Sequence, residues 1–295
     1  MRVYVTGGSG FVGSHVVRVF EAHAAEVAAP PHAEVDVTDP EAVRRSVADL
    51  RPDAIVHCAI LNDLGVMYAD RAAGWDAYVG ATRSLADAAN EVGARMLLVS
   101  TDWVFDGTQP GATEDTPPNP INLYGFLKAA SELVVTERSE RGSVARIAAV
   151  QGSARGAPRE QDAGFGYFVA ALVRALRAGE RFTVWEGRDI NMVATPTLAS
   201  DAADLIGRIV AGGHGGVFHC CGGEAVDRRT LAERTVAAFG LDGDLLDFGP
   251  PPEQPWPVPH DTSLDATATA AALGVELPDV DEQLRRLERS MACTT

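Results

Sequence analysis

The octapeptide Thr6-Gly7-Gly8-Ser9-Gly10-Phe11-Val12-Gly13 follows a short β-rich run, residues 1–6, and opens a segment in which Val16, Val17, Val19 and Phe20 have helical spacing. Strand, tight turn and helix follow in succession, with the helix expected from residue 13 to about 24. Glycines at positions 7, 10 and 13 permit positive φ and let the main chain approach a pyrophosphate. Exposed amides and the dipole at the helix start favour negative charge there. A glycine-rich turn can also exist without a ligand. Its place inside a βαβ unit favours dinucleotide binding.

Working outward, residues 26–27 and 34–37 are expected as strands of a second cycle. The next helix is announced by Thr38-Asp39-Pro40-Glu41, in which Thr38 or Asp39 can cap and Pro40 suits the first turn. Strands are expected at 54–59, 95–100 and 143–150, and helices at 82–92 and 124–138. This alternation predicts the α/β class: a doubly wound parallel sheet covered on both faces. Residues 1–150 are expected to form an NAD(P)-binding domain. Residues 151–295 are read mainly as a substrate lobe, with a helix at 167–178 and segments around 190–220 returning to the core. The proline-rich stretch 250–259 is expected to run extended over the surface.

Forty-one acidic against 25 basic residues give a formal net charge of −16. Such a chain has no basic field for a nucleic-acid backbone or an anionic membrane surface. No apolar run is long enough to span a bilayer, and from the strand pattern on which the chain opens no cleavable leader is expected. Cys58, Cys220, Cys221 and Cys293 form neither a disulfide framework nor a zinc-ligand pattern. The expectation is a cytoplasmic protein without a metal. His57, Cys58, His219, Cys220 and Cys221 are read as core residues, as are Trp185 and Trp256.

The catalytic candidates lie at the end of the strand at 95–100. Thr101 sits at the carboxyl edge of the sheet, where α/β proteins bind ligands, and Tyr124 and Lys128 share one face of a helix. A phenol with an ordinary pKa of about 10 is helped toward its anion by a neighbouring ammonium. Thr101 can then donate to a carbonyl oxygen while Tyr124 delivers the proton. Where the second strand ends, Ala28-Ala29-Pro30-Pro31 replaces the acid that would bind ribose hydroxyls. This favours NADPH, with NADH open and His32 a candidate phosphate contact. Asp36 can accept from an adenine amino group or serve only as a helix-entry residue.

Together these stretches carry a resemblance. With Asp36-Val37-Thr38-Asp39, Val56-His57-Cys58-Ala59, Ser100-Thr101-Asp102-Trp103-Val104-Phe105-Asp106-Gly107, Tyr124 to Lys128, Thr195-Pro196-Thr197 and Asp261-Thr262-Ser263-Leu264-Asp265, the chain resembles extended short-chain dehydrogenases/reductases, and among them the dTDP-4-dehydrorhamnose reductase group. The resemblance implies a Rossmann-like fold and NAD(P)H-dependent reduction of the 4-keto group of a nucleotide-linked (dTDP) 6-deoxyhexose. It implies Thr101, Tyr124 and Lys128 as the catalytic set. Gly7, Gly10, Phe11, Val12, Gly13, Asp36, Val37, Ala59, Ile60 and Leu61, with Tyr124 and Lys128, would contact the cofactor. Thr101, Asp102 and Trp103 would lie near the substrate. Epimerase or dehydratase chemistry, a non-sugar ketone substrate, or a non-catalytic NADP-binding regulatory subunit are the alternatives, and a homodimer is the default assembly. The chain departs from the group at Trp103, where tyrosine is common, and at Tyr78, where an asparagine often stands before a stretch like Val79-Gly80-Ala81-Thr82. Residues 152–164 match no pattern of the group.

Overall fold

The computed structural model describes residues 1–23, 25–61, 63–152 and 160–292. In chain order the elements are β1 (Arg2–Thr6), α1 (Phe11–Ala22), β2 (Glu26–Ala28), α2 (Pro40–Leu50), β3 (Ala54–His57), α3 (Leu64–Ala69), α4 (Arg71–Trp75), a π turn (Asp76–Gly80), α5 (Ala81–Val92), β4 (Arg95–Thr101), α6 (Leu123–Arg138) and β5 (Gly142–Ile147). They continue with β6 (Val150–Gln151), α7 (Phe168–Arg177), β7 (Phe182–Trp185), β8 (Val193–Ala194), β9 (Thr197–Leu198), α8 (Ala199–Gly212), β10 (Gly216–His219), β11 (Val226–Asp227), α9 (Arg228–Phe239), β12 (Leu246–Gly249), α10 (Thr267–Leu273) and α11 (Val280–Ala292).

Two compact units form. The first comprises Met1–Val104, Pro118–Arg146 and Ser200–Phe218. Its six-stranded sheet has the order β10-β5-β4-β3-β1-β2, and β2, β1, β3 and β4 pair in parallel. The chain leaves β1 for β2 on one side and then crosses to β3 on the other, so the order reverses between β1 and β3. In doubly wound sheets the carboxyl edge at such a reversal opens a crevice for ligands. One face of the sheet is packed by Tyr4, Ile55, Met96 and Leu98 against Val43, Val47, Leu85 and Ala89 of α2 and α5. At the amino edge, Arg2, Arg95 and Arg141 donate to the carbonyls of Leu50, Gly213 and Gly93, at or just beyond the ends of α2, α8 and α5. There they meet the negative ends of the helix dipoles.

Two expected strands come out differently. Residues 34–37 form turns, because Glu34 and Val35 both donate to the Pro31 carbonyl. The expected strand at 143–150 is split into β5 and β6 by Ala149, whose φ of +43° is left-handed. Asp39, not Thr38, caps α2, accepting from the amides of Glu41 and Ala42.

The second unit comprises Phe105–Pro117, Ile147–Ala199 and His219–Thr295. Phe165, Phe168, Leu172, Val184, Leu231 and Leu284 are among its core residues. Three two-stranded sheets pair β7 with β12 in parallel, β6 with β9 in parallel, and β8 with β11 antiparallel. Arg228 is fully buried, donates to the carbonyls of Asn191, Asp162 and Gly164, and lies over the Phe165 and Phe168 rings. His219, Cys220 and Cys221 are buried, whereas Trp185 and Trp256 are only partly so. Among the described residues no helix is long and apolar enough to cross a membrane, and no three His, Cys, Asp or Glu side chains are grouped to hold a metal ion.

Candidate active site

The glycine turn is shaped by contacts that only hydrogen permits. Gly7 has φ +67°, and a Cβ there would lie 2.7 Å from the Ala59 amide nitrogen. At Gly13 a Cβ would lie 2.1 Å from the Gly7 carbonyl oxygen, against which the Gly10 amide also donates at 2.9 Å. The turn thus lies flat on the end of β3, at the reversal point of the sheet. No side chain caps α1, so its start relies on other partners for the amides that every helix leaves without an internal acceptor. Beneath the turn, Thr6 Oγ1 pairs with His57 Nδ1 at 2.7 Å and accepts from the Ala59 amide at 3.3 Å. Burial, then the Lys128 charge, push the His57 imidazole down to about 3. It is a neutral polar filler.

The second cluster forms where β4 ends in Thr101 and a 3-10 turn over Asp102–Val104 leads away. Asn122 caps α6 by accepting from the Gly125 amide at 2.8 Å. Gly125 lets the first turn of α6 rest on this backbone, since a Cβ there would lie 2.0 Å from the Trp103 carbonyl oxygen. That contact fixes Tyr124 beside Thr101, with which it is hydrogen-bonded. Thr101 in turn donates to Asp102 Oδ1 at 3.0 Å and accepts from the Trp103 amide at 3.2 Å. The Tyr124 ring meets Trp103 and Tyr78 edge to face, each with centroids 6.1 Å apart. Burial pushes its phenol up to about 12; the Thr101 hydrogen bond opposes this and the Asp102 charge adds to it.

Lys128 is 3% exposed and its ammonium donates to the Val99 carbonyl at 2.7 Å. Burial pushes it down to about 8, opposed by the neighbouring Glu132 charge and by Cys58. Glu132, one turn further along α6, is itself held by Arg146 at 2.8 Å and by Ser100 Oγ. The sequence reading gave Lys128 the task of easing Tyr124 toward its anion. In the structure the groups acting on the phenol are Thr101 and Asp102, while the ammonium is turned to Val99 and the Tyr78 ring. A desolvated cation needs a hydrogen-bond acceptor, and the Val99 carbonyl supplies one.

Thr101, Asp102, Trp103, Tyr124 and Lys128 therefore come together. The turn from Gly7 through Gly10, Phe11 and Val12 to Gly13 and Ala59 forms the neighbouring group on β1 and β3. Ile60 is exposed, and the Leu61 carbonyl accepts from the Tyr78 hydroxyl at 2.9 Å. Asp36 and Val37, expected at a strand end, sit in the loop before α2. Asp36 Oδ1 accepts from the amide and hydroxyl of Thr38 at 2.9 and 2.8 Å, which holds its carboxyl below the usual range. The site roles missed from the sequence are those of Gly125 and Tyr78. One signal was available and unused: Lys128 is the only lysine among 25 basic residues.

Across residues 1–293 the sequence matches the family described as RmlD substrate binding domain. The chain belongs to that family. Among its relatives, methionine adenosyltransferase 2 subunit beta of Rattus norvegicus is 31% identical over 257 residues, covering 83% of this chain and 74% of the relative. A dTDP-4-dehydrorhamnose reductase of Streptomyces griseus is 30% identical over 244 residues, covering 82% and 77%. In fold the RmlD-family chain matches the crystal structure of a dTDP-4-dehydrorhamnose reductase from Bacillus anthracis in complex with NADP, with a TM-score of 0.85 and 21% identity over 98% of this chain and 99% of that one.

Proposed function

We propose that this RmlD-family protein is an NADPH-dependent ketoreductase that converts the 4-keto group of a nucleotide-linked (dTDP) 6-deoxyhexose to a hydroxyl. The observation that carries the reading is the partly buried Tyr124, hydrogen-bonded to Thr101 at the carboxyl end of β4, with the chain's only lysine one turn along the same helix. The glycine turn fits a dinucleotide pyrophosphate, because its main chain is stripped of side chains where α1 begins. Ala28 and Ala29 at the end of β2 leave room where an acid would repel a 2′-phosphate. We assign the cofactor to residues 1–150 and the sugar nucleotide mainly to 151–295, in a cytoplasmic enzyme.

When bound, the cofactor supplies hydride to the carbonyl carbon. The protein's own part is the proton and the developing charge. Tyr124, held neutral by burial, gives its phenolic proton to the carbonyl oxygen, which becomes the product hydroxyl. Thr101, whose own proton goes to Asp102, orients the phenol by accepting from it before transfer, and Lys128 places a positive charge one turn away to offset the buried phenolate left behind. Asp102 holds the Thr101 hydroxyl in line. The test is NADPH oxidation against a panel of dTDP-linked 4-keto-6-deoxyhexoses with Tyr124→Phe as control. Turnover by the wild type, lost in a variant that still binds NADPH, supports the reading; full activity of the variant refutes the assigned acid.

A second reading draws on the relatives named as subunits of methionine adenosyltransferase: a cofactor-binding partner subunit without turnover. Stoichiometric NADPH binding with no oxidation on any member of the panel supports it.

A further inference from the structure

Tyr78 lies outside the motifs that mark the catalytic cluster, yet three contacts converge on it. It is 3% exposed and sits in the π turn that links α4 to α5. Such turns insert an extra residue into a helix and re-aim side chains, often at functional sites. The ring meets Tyr124 edge to face with planes at 81°. The Lys128 ammonium stands over the same ring, 5.4 Å from its centroid. The hydroxyl donates to the Leu61 carbonyl, in the segment that follows β3.

The ammonium needs such a neighbour. One of its donors goes to Val99; the titratable groups facing it are His57 and Cys58 at the end of β3, Tyr78 from the π turn, and Glu132 on its own helix. Glu132 is already committed to Arg146 and Ser100. An aromatic face attracts a desolvated cation through its quadrupole without taking a proton from it.

We propose that Tyr78 is a positioning residue: its ring face holds the Lys128 ammonium against the Val99 carbonyl, and its hydroxyl ties the segment around Leu61 to the same point. The inference rests on the reductase reading only in giving Lys128 a catalytic task.

Because Lys128 is the chain's only lysine, protein made with lysine labelled at the ε-carbon yields one ε-methylene resonance. In the wild type its ε-protons are shifted to high field by the ring beneath them. Tyr78→Leu abolishes that shift and lowers the ammonium's titration midpoint by about one pH unit. Tyr78→Phe keeps both and instead weakens NADPH binding about fivefold, the effect of one lost hydrogen bond. In turnover, the high-pH limb of kcat moves down with Tyr78→Leu and stays put with Tyr78→Phe. Wild-type ε-protons at the position of a free lysine, or equal midpoints in the two variants, overturn the proposal. The wild-type spectrum decides the matter even if Tyr78→Leu does not fold. Absence of turnover on every ketone strikes the reductase reading alone, whereas an unshifted lysine in an active enzyme strikes only the role of Tyr78.

Discussion

Replacing Lys128 with methionine should make the protein more stable while ending its activity. The ammonium is nearly inaccessible, and burial lowers its pKa from the ordinary 10.5 to about 8. At about 1.4 kcal/mol per tenfold change, that corresponds to roughly 3 kcal/mol of destabilisation carried by the folded state at neutral pH. Losing the bond to Val99 returns about 1 kcal/mol. Lys128→Met is close to isosteric, so a net gain of about 2 kcal/mol is expected at pH 7. The pH dependence carries a definite sign. Below about 8 both folded and unfolded chains hold the proton and the full penalty applies; between about 8 and 10.5 only the unfolded chain still binds it, so wild-type stability rises with pH. The variant's advantage should therefore shrink across that window. Denaturant titrations of both proteins at pH 7 and at successive points up to 10.5 measure it. A variant less stable than wild type at pH 7, or an advantage indifferent to pH, refutes the reasoning.

Thr101→Val, which keeps the shape and removes the hydroxyl between Tyr124 and Asp102, should lower kcat about a hundredfold with NADPH affinity unchanged; steady-state kinetics and a binding titration check this. Gly125→Ala forces α6 off the Trp103 carbonyl and should abolish turnover. Gly93→Ala, with φ +73° but open space around it, should cost only about 1 kcal/mol and leave activity intact, as paired activity and melting measurements will reveal. Glu132→Gln strands Arg146, 3% exposed, without its anion, and should destabilise the fold by about 3–5 kcal/mol in denaturant unfolding.

The parts of the molecule that could be read from the sequence are those where one local rule suffices. A glycine at every third position after a strand marks a tight turn, and Thr38-Asp39-Pro40-Glu41 names a helix start without tertiary help, though not which of Thr38 and Asp39 caps it. Tyr124 and Lys128 share a face by helical spacing alone. What could not be read depends on contacts between distant residues. The strand expected at 34–37 gave way to turns because Pro31 offers a carbonyl to two amides at once. Ala149 breaks the long strand by a left-handed φ that its sequence neighbourhood does not announce. Trp103 and Tyr78 stood out from the sequence as two unrelated departures from the family, and only the fold brings both rings onto Tyr124. Gly125 looked ordinary until the backbone of Trp103 was found against it.

The most direct test of a proton-donating phenol beside a bound nicotinamide is a single turnover with NADPH deuterated at the transferred position and a dTDP-4-keto-6-deoxyhexose. The account predicts product carrying one deuterium at C4, and none formed by Tyr124→Phe. Wild-type protein that binds the cofactor stoichiometrically yet transfers no deuterium to any such ketone would contradict it.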